Sequence, residues 1–336
     1  MWGFFIENIR EIMRDLGLLG ENTFSSWCHQ VGLIPNPSII DKTGWDFYVQ
    51  FSQVGDLSVL KLHKSIFECK VQVKATDKRE RKLAVTLSNL RQMATSQMPT
   101  FYIFLEFDGK NEVQKAFILH LDNNIIYSIL KRIHEIEQSD KENNLNKRKM
   151  TLHYDENHEL KVLNGKNLKE NLLAYIGEDY SKYINEKSQF LENCGFEDGH
   201  GIIQFSLNGE DSIKKIIDVS LGLEEELDIE NLVTIEQRFG IPSKNPEFEL
   251  KKAKLKLGML APKKGKIHFK EDQLSSGLTF DMNFYISPFS FQEFRKFSKF
   301  RIIGDFFDLS CEPYQNKANY NFSLGDDFRW EIMWFR

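Results

Sequence analysis

A near-continuous apolar run, PTFYIFLEF at residues 99–107, limits the folds open to this chain most strongly. A strand with apolar side chains on both faces needs cover on both faces, which is typical of the central strands of an α/β sheet. Two earlier segments, GWDFYVQF at 44–51 and SIFECKVQVKAT at 65–76, are aromatic and β-branched, and we predict an antiparallel hairpin from them. KAFILHL at 115–121 predicts a further strand. We therefore expect a mixed central sheet flanked by helices, an α/β domain over residues 1–140.

Apolar spacings of three and four residues predict the helices of this domain. They indicate helices at residues 4–16, 85–94 and 125–136, and another from near Glu21 to Gly32. Gly17 and Gly20 are expected to separate the first helix from the one that begins near Glu21. The two prolines in residues 33–38 indicate a connection rather than a strand.

The second half of the chain has a different pattern. Residues 138–150 are polar and predict a linker or long surface loop, with a solvated helix end as the alternative. Residues 167–196 are helical in pattern, and most segments after Gly201 alternate as strands do. We predict that residues 151–336 form a helix pair followed by a mainly β domain with a phenylalanine-rich core, which serves recognition or partner binding.

Charge and cysteine content exclude several classes of protein. The 336 residues carry 44 basic and 49 acidic side chains, a net charge of −5, which excludes a uniformly basic coat but not local basic patches. Four well-separated cysteines without a CxxC motif argue against a disulfide framework or a zinc knuckle and fit a reducing cytoplasm. No 18-residue apolar run is present and the N-terminus lacks the order of a secretory signal. We expect a cytoplasmic protein with no membrane partner.

Three polar residues of the predicted hairpin form the most informative constellation. Gln72 and Lys74 are two apart and share one face of their strand, while Val71 and Val73 point to the other. If the strands pair as a hairpin, Asp46 lies opposite Gln72. Mg²⁺ (or Mn²⁺) prefers such oxygen ligands: the Asp46 carboxylate, the Gln72 amide oxygen and the backbone carbonyl of Val73. Lys74 would then orient a nucleophile or offset charge on a phosphorane, so the cluster suits metal-assisted phosphodiester hydrolysis.

These segments resemble a known superfamily. The run GENTFSSW, then GWDFYV, then VQVKAT is similar to the PD-(D/E)xK nucleases, above all to Mrr-like restriction endonucleases and nuclease domains of prokaryotic antiviral systems. The resemblance covers residues 15–125. It implies a restriction-endonuclease-like sheet, divalent-metal dependence and nucleic-acid cleavage, and it assigns Glu21 to the glutamate that completes the site from the first core helix. A glutamine in place of the usual acid of the triplet occurs in these families.

A second acid-x-lysine triplet, Glu68-Cys69-Lys70, lies four residues upstream on the same strand face. This triplet begins with a glutamate, and an acid is commoner than glutamine at that position of the superfamily's motif. We favour Gln72 and Lys74 because they lie where the strand ends, near a sheet edge that a duplex can approach.

Two basic segments are candidate nucleic-acid contacts, since cations hold the phosphate backbone. The first follows the proposed site, with a solvated loop as the alternative; its residues are Lys70, Lys78, Arg79, Arg81 and Lys82. The second lies on a predicted strand, where lysines that protect a sheet edge from aggregation would give the same pattern. Its residues are Lys252, Lys254 and Lys256.

The sequence therefore predicts a metal-dependent endonuclease that cleaves nucleic acid, DNA rather than RNA. By resemblance, it would act in bacterial defence against phage or foreign DNA. The alternative is an inactive nuclease scaffold or complex subunit that binds nucleic acid or a partner ATPase or helicase through its C-terminal domain. A homodimer would supply two sites for two strands, although no interface is readable from the sequence.

Overall fold

The computed structural model describes residues 14–39, 44–52, 65–139, 144–289 and 292–323. The chain divides into two compact units. The first comprises Met1–His200 with Gln237–Lys244, and the second Gly201–Glu236 with Asn245–Arg336. The division falls near residue 200, whereas the sequence predicted it between residues 140 and 151.

The first unit is built on a mixed sheet. Its strands are β1 (Leu33–Pro37), β2 (Phe47–Phe51), β3 (Glu68–Thr76), β4 (Lys82–Thr86), β5 (Thr100–Glu106), β6 (Lys115–His120) and β7 (Lys149–His153). Five of them form a sheet in the order β1-β2-β3-β5-β6, antiparallel throughout except for the parallel pair β3 and β5. The predictions of a mixed α/β region and of an antiparallel hairpin, here β2 and β3, are confirmed.

Helices cover both faces of this sheet. They are α1 (Leu16–Gln30), α2 (Leu87–Ala94), α3 (Asn123–Glu137), α4 (Gly165–Ile176) and α5 (Tyr180–Asn193). All seven residues of β5 are buried. Phe101, Ile103 and Leu105 pack in a core cluster with α1 and α4, whereas Tyr102 and Phe104 pack in a second cluster with α2 and α3. The apolar run thus predicted a strand buried on both faces.

Helix α1 corrects the predicted break. It begins after Asp15, whose carboxylate caps it, and both Gly17 and Gly20 lie inside it. Gly20 is needed for packing, because a Cβ there would lie 2.8 Å from the Cβ of Ala75 on β3. The helix predicted at residues 4–16 lies almost entirely outside the described residues.

Strand β1 corrects the predicted connection at residues 33–38. It pairs with β2 and places Pro35 opposite Val49. Because β1 is the edge of the sheet, the prolines remove no N–H that an interior strand would need.

A small two-stranded sheet was also missed. β4 pairs antiparallel with β7, which places Leu83 opposite Leu152. Leu152 is buried and Leu83 packs against the core cluster of α2 and α3. The predicted linker at 138–150 therefore ends in a strand, and its residues 140–143 lie outside the described part.

The predicted helix pair is confirmed as α4 and α5. They are separated at Gly177, whose φ of +82° favours glycine, and Asp179 caps α5. Leu168, Leu172 and Ile176 of α4 belong to the core cluster of the first unit. Their burial explains why the units divide after the helix pair rather than before it.

The second unit is mainly β, as predicted, and its sheets are antiparallel. Its strands are β8 (Gly201–Ser206), β9 (Leu227–Arg238), β11 (Phe248–Leu255), β12 (Lys263–Phe269), β13 (Leu278–Ile286), β14 (Phe300–Ile303), β15 (Phe307–Glu312) and β16 (Lys317–Phe322). β8 and β11 flank β9, and β12 to β16 follow one another in a five-stranded sheet. The end of β9 lies in the first unit, where Arg238 pairs with β10 (Ile241–Pro242).

The core of the second unit differs from the predicted phenylalanine-rich core. Its buried cluster is mostly aliphatic and centres on an unpredicted helix, α6 (Gly209–Ser220), with Phe297 as its buried ring. Several phenylalanines instead pack ring against ring on the β12–β16 sheet, among them Phe280 and Phe307. Within the described residues, no helix is long and apolar enough to cross a membrane.

Candidate functional site

The register of β2 and β3 brings Asp46 and Gln72 together. Phe47 lies opposite Val71, so the next pair along the ladder is Asp46 with Gln72. The backbone N–H of Asp46 donates to the Val71 carbonyl at 2.9 Å. The Gln72 amide donates to Oδ2 of Asp46, and the backbone N–H of Val73 donates to the same oxygen at 2.8 Å. The predicted juxtaposition is present.

Gly44 sets the approach of Asp46 to the sheet. Its φ is +73°, and a Cβ there would lie 3.0 Å from the carbonyl oxygen of Asn89 on α2. A glycine is therefore required two residues before the aspartate.

Gln72 and Lys74 share one sheet face, as predicted. The parallel ladder places Gln72 beside Tyr102 and Lys74 beside Phe104. Gln72 is only 7% exposed, whereas Lys74 is half-buried and borders a cavity. No described residue forms an ion pair with Lys74, so its ammonium is available to an incoming anion.

Val73 is placed as the metal prediction requires. Its N–H points toward Asp46, and the N–H and C=O of one strand residue point to the same side. The Val73 carbonyl therefore lies on the side of β3 from which Asp46 approaches.

Glu21 lies on α1, directly after Gly20. A Cβ at Gly20 would lie 2.8 Å from the Cβ of Ala75 and 3.6 Å from Cγ1 of Val73, so α1 packs on the end of β3 that carries the candidate site. Ala75 and Val73 face α1, whereas Gln72 and Lys74 face the opposite side of the sheet. The role of Glu21 at the site stays a prediction.

The alternative triplet is farther from Asp46. Glu68 lies opposite Gln50 and accepts a hydrogen bond from its amide at 3.2 Å. Glu68 and Gln72 are four positions apart on the strand, a distance of about 13 Å. Nζ of Lys70 lies 5.7 Å from the ring centre of Trp45. Burial lowers the pKa of Lys70. The geometry groups Asp46 with Gln72.

One residue of this site was not predicted. Tyr102 is completely buried, and its hydroxyl has no hydrogen-bond partner among the described residues. Burial raises its pKa, and the Asp46 carboxylate raises it further. The sequence signal was a tyrosine inside an otherwise apolar run. A buried hydroxyl beside a carboxylate calls for a bound partner, such as water or a ligand oxygen.

The oxygen ligands of this site suit a hard divalent cation, although together they carry little negative charge. Asp46 supplies a carboxylate, the Val73 carbonyl lies on the same side, and a rotation of the Gln72 amide would present its oxygen in place of its NH₂. The unpartnered Tyr102 hydroxyl leaves a hydrogen bond for a coordinated water. Across the described ranges, no group of three or more His, Cys, Asp or Glu residues is arranged to hold a metal.

A cavity of about 180 Å³ lies beside Lys74. Phe104 and Tyr154 form its apolar wall, with their rings stacked 3.9 Å apart. Its cationic residues are Lys74, Lys78, Arg81 and Lys82, with Glu80 as the acid. This concentration of positive charge suits a phosphate group.

Several residues of the first basic segment are partly neutralised. Arg79 pairs with Asp108, Arg81 with Glu156, and Lys82 with Glu80 at 3.2 Å. Lys78 forms no ion pair with any described residue. Lys74 and Lys78 are therefore the available cations at this cavity.

The lysines of β11 are also partly neutralised. Ala253, Leu255 and Leu257 pack against the core of the second unit, which leaves the intervening lysines on the outer face. Lys254 and Lys256 both pair with Glu226, and Lys252 lies opposite Glu230. Because β11 is an edge strand, the edge-protection interpretation accounts for this stripe as well as nucleic-acid contact does.

Comparison with known proteins gives no match: no family model, no curated protein and no solved structure matches the chain. The resemblance to PD-(D/E)xK nucleases stays a prediction.

Proposed function

We propose that the chain is a metal-dependent phosphodiesterase that cleaves nucleic acid, DNA preferentially, with a restriction-endonuclease-like first unit. The observation that carries the proposal is the Asp46–Gln72 pair across two adjacent strands, with Lys74 two residues further on the same face. The role in bacterial antiviral defence that the sequence resemblance implies is part of the same proposal.

Each residue has a chemical task. Asp46, the Gln72 amide oxygen and the Val73 carbonyl would hold Mg²⁺ or Mn²⁺, which polarises a phosphoryl oxygen and supplies a reactive water at neutral pH. The Lys74 ammonium offsets the negative charge that develops on the phosphorane. The Tyr102 hydroxyl, which has no hydrogen-bond partner among the described residues, would donate a hydrogen bond to a water or ligand oxygen in the site. Glu21, on the first core helix, would assist at the site.

The basic cavity accounts for substrate binding. Lys74 and Lys78 line this cavity and are not engaged with carboxylates of the described residues. A polyanion that contacts them releases counterions, so binding weakens as salt rises.

The test is cleavage by the full chain of supercoiled plasmid, linear duplex DNA and single-stranded RNA, with Mg²⁺, Mn²⁺ or EDTA. Asp46→Asn and Lys74→Met are each expected to lower the cleavage rate at least about 100-fold. Glu68→Gln is a matched control from the alternative triplet and is expected to keep most of the activity. Cleavage that survives both site substitutions would contradict the proposal.

A second candidate is a binding module without catalysis. It is favoured by one observation: Oδ2 of Asp46 is already satisfied by two N–H donors, and the site has one carboxylate on its face. Fluorescence anisotropy with labelled DNA separates the two functions. Binding that depends on Lys74 and Lys78, with no cleavage under either metal, would support this candidate. Cleavage that appears only with an added ATPase or helicase would support a complex subunit.

A further inference from the structure

A second cavity in the first unit has a volume of about 620 Å³ and is lined by different residues from the basic cavity. It lies where the N-termini of α3 and α5 meet the end of β6. His120, Tyr175, Tyr183 and Lys187 contribute to its lining. Nothing in the proposed phosphodiesterase uses these residues.

Lys187 is an unusual lysine. It is 4% exposed, and its Nζ donates to the carbonyl oxygen of Met98 at 3.0 Å. Among the described residues, that carbonyl is the one hydrogen-bond acceptor of Nζ, and no carboxylate forms an ion pair with it. An ammonium would leave two buried N–H donors without acceptors, whereas a neutral amine donates once and keeps a lone pair. The hydrogen-bond inventory therefore favours the neutral amine.

The electrostatic surroundings agree with this. Burial, with a smaller effect of the nearby Lys70, lowers the pKa of Lys187 to about 7. Burial and, to a smaller extent, Lys187 lower the pKa of His120 to about 4 against an opposing effect of Asp122, so its ring is neutral at pH 7. At this pH the cavity therefore holds a neutral imidazole and an amine whose neutral fraction is far larger than that of an exposed lysine.

A proton relay lies on the same helix face. Tyr183 and Lys187 are four residues apart on α5 and so point to the same side. The Tyr183 hydroxyl and His120 Nε2 are hydrogen-bonded at 2.7 Å. A proton can pass along this pair to or from a group bound at Lys187.

We propose that Lys187 is a nucleophilic amine that captures an aldehyde or ketone in this cavity as a Schiff base. The Nζ lone pair attacks the carbonyl carbon, and the C=O π electrons move to oxygen. The two Nζ protons then leave with that oxygen as water, and a C=N bond remains. Tyr183, backed by His120, passes the proton that the departing hydroxyl needs.

The rim of the cavity selects the charge of the ligand. Asp122, Glu178 and Asp179 lie at the rim of the cavity. Lys182 forms an ion pair with Glu186, with 3.7 Å between Nζ and Oε1. This excess of carboxylates repels anions. The ligand is therefore a neutral or cationic carbonyl compound rather than a phosphorylated one.

The experiment uses pyridoxal and pyridoxal 5′-phosphate as neutral and anionic aldehyde probes on the full chain. Borohydride reduction fixes any imine, and peptide mass spectrometry locates it. At pH 7.5, pyridoxal is expected to label Lys187 at least about tenfold faster than the exposed lysines. The preference for Lys187 over the exposed lysines is expected to be smaller for the phosphorylated probe than for pyridoxal.

Two variants complete the test. Lys187→Met should abolish the fast labelling, while Lys182→Met, in the same cavity, should keep it. The wild-type pH profile serves as a measurement that needs no variant, and its midpoint for Lys187 should lie near 7 rather than above 10. Labelling of Lys187 at the rate of exposed lysines, or a midpoint above 10, would overturn the proposal. Because neither readout involves cleavage of nucleic acid, the outcome is independent of the phosphodiesterase.

Discussion

Tyr102 of β5 lies directly beside Gln72 of β3, and its buried hydroxyl has no hydrogen-bond partner within the described ranges. An unsatisfied buried hydroxyl lowers the stability of a fold, so its presence in a core strand indicates a functional role. The neighbouring Asp46–Gln72 pair indicates what that role is.

Tyr102→Phe should therefore affect stability and cleavage activity differently. Loss of the unpaired hydroxyl is expected to leave the free energy of unfolding unchanged or to raise it by up to about 1 kcal/mol. The cleavage rate should fall at the same time if the hydroxyl donates into the site. Urea unfolding and plasmid cleavage measure the two effects, and a clear loss of stability would show that the hydroxyl is already well paired.

Gly20→Ala should destabilise the first unit by about 1–3 kcal/mol. The new Cβ would lie 2.8 Å from the Cβ of Ala75, closer than side-chain carbons pack. Gly17→Ala is the matched control in the same helix, because among the described residues its Cβ would meet only an Asp15 oxygen, at 3.4 Å. Its effect should be neutral or stabilising by up to about 1 kcal/mol. Thermal unfolding compares the two variants.

A compensating change checks the contact itself. Ala75→Gly in the Gly20→Ala background should restore part of the lost stability, because it removes the opposing carbon. Additive losses in the double variant would place the cause of the destabilisation elsewhere.

Period and composition predicted the sheet and most helices, because a strand buried on both faces and an amphipathic helix leave local patterns. They did not predict α1 through Gly17 and Gly20, since glycine there reflects a tertiary approach to Ala75 rather than a break. They missed β1 because proline is tolerated at a sheet edge, a property of topology that two prolines do not reveal.

The candidate site was predictable in part for the same reason. The alternation of β3 put Gln72 and Lys74 on one face, and the hairpin register put Asp46 opposite Gln72. Tyr102 comes from a strand that follows an intervening helix, so its position beside Gln72 depends on the parallel pairing of β3 with β5. The cavity at Lys187 joins two segments that are about 50 residues apart in the sequence, residues 120–124 and 175–187, and no local pattern marks it.

Cys28 should resist thiol reagents in the folded protein. It is completely buried, and burial raises its pKa to about 12, so the reactive thiolate is scarce at pH 8. Cys311 is partly exposed and should react first. Reaction with a disulfide reagent, followed over time and located by mass spectrometry, measures both rates. Denaturant should bring Cys28 to the rate of Cys311, and fast labelling of native Cys28 would contradict its burial.

His120 should make the first unit sensitive to mild acid. Its pKa is about 4 in the folded chain and about 6.5 when exposed, so the unfolded state binds more protons between these values. Its contribution to stability is therefore complete above pH 6.5 and is lost as the pH falls toward 4, by at most about 1.4 kcal/mol per pH unit. Thermal unfolding from pH 7.5 to 4.5 should show this slope in the wild type and a shallower one in His120→Gln. His29→Gln, at an exposed position on α1, is the matched control and should keep the wild-type slope. Equal slopes in all three proteins would mean that His120 is not held as a buried neutral ring.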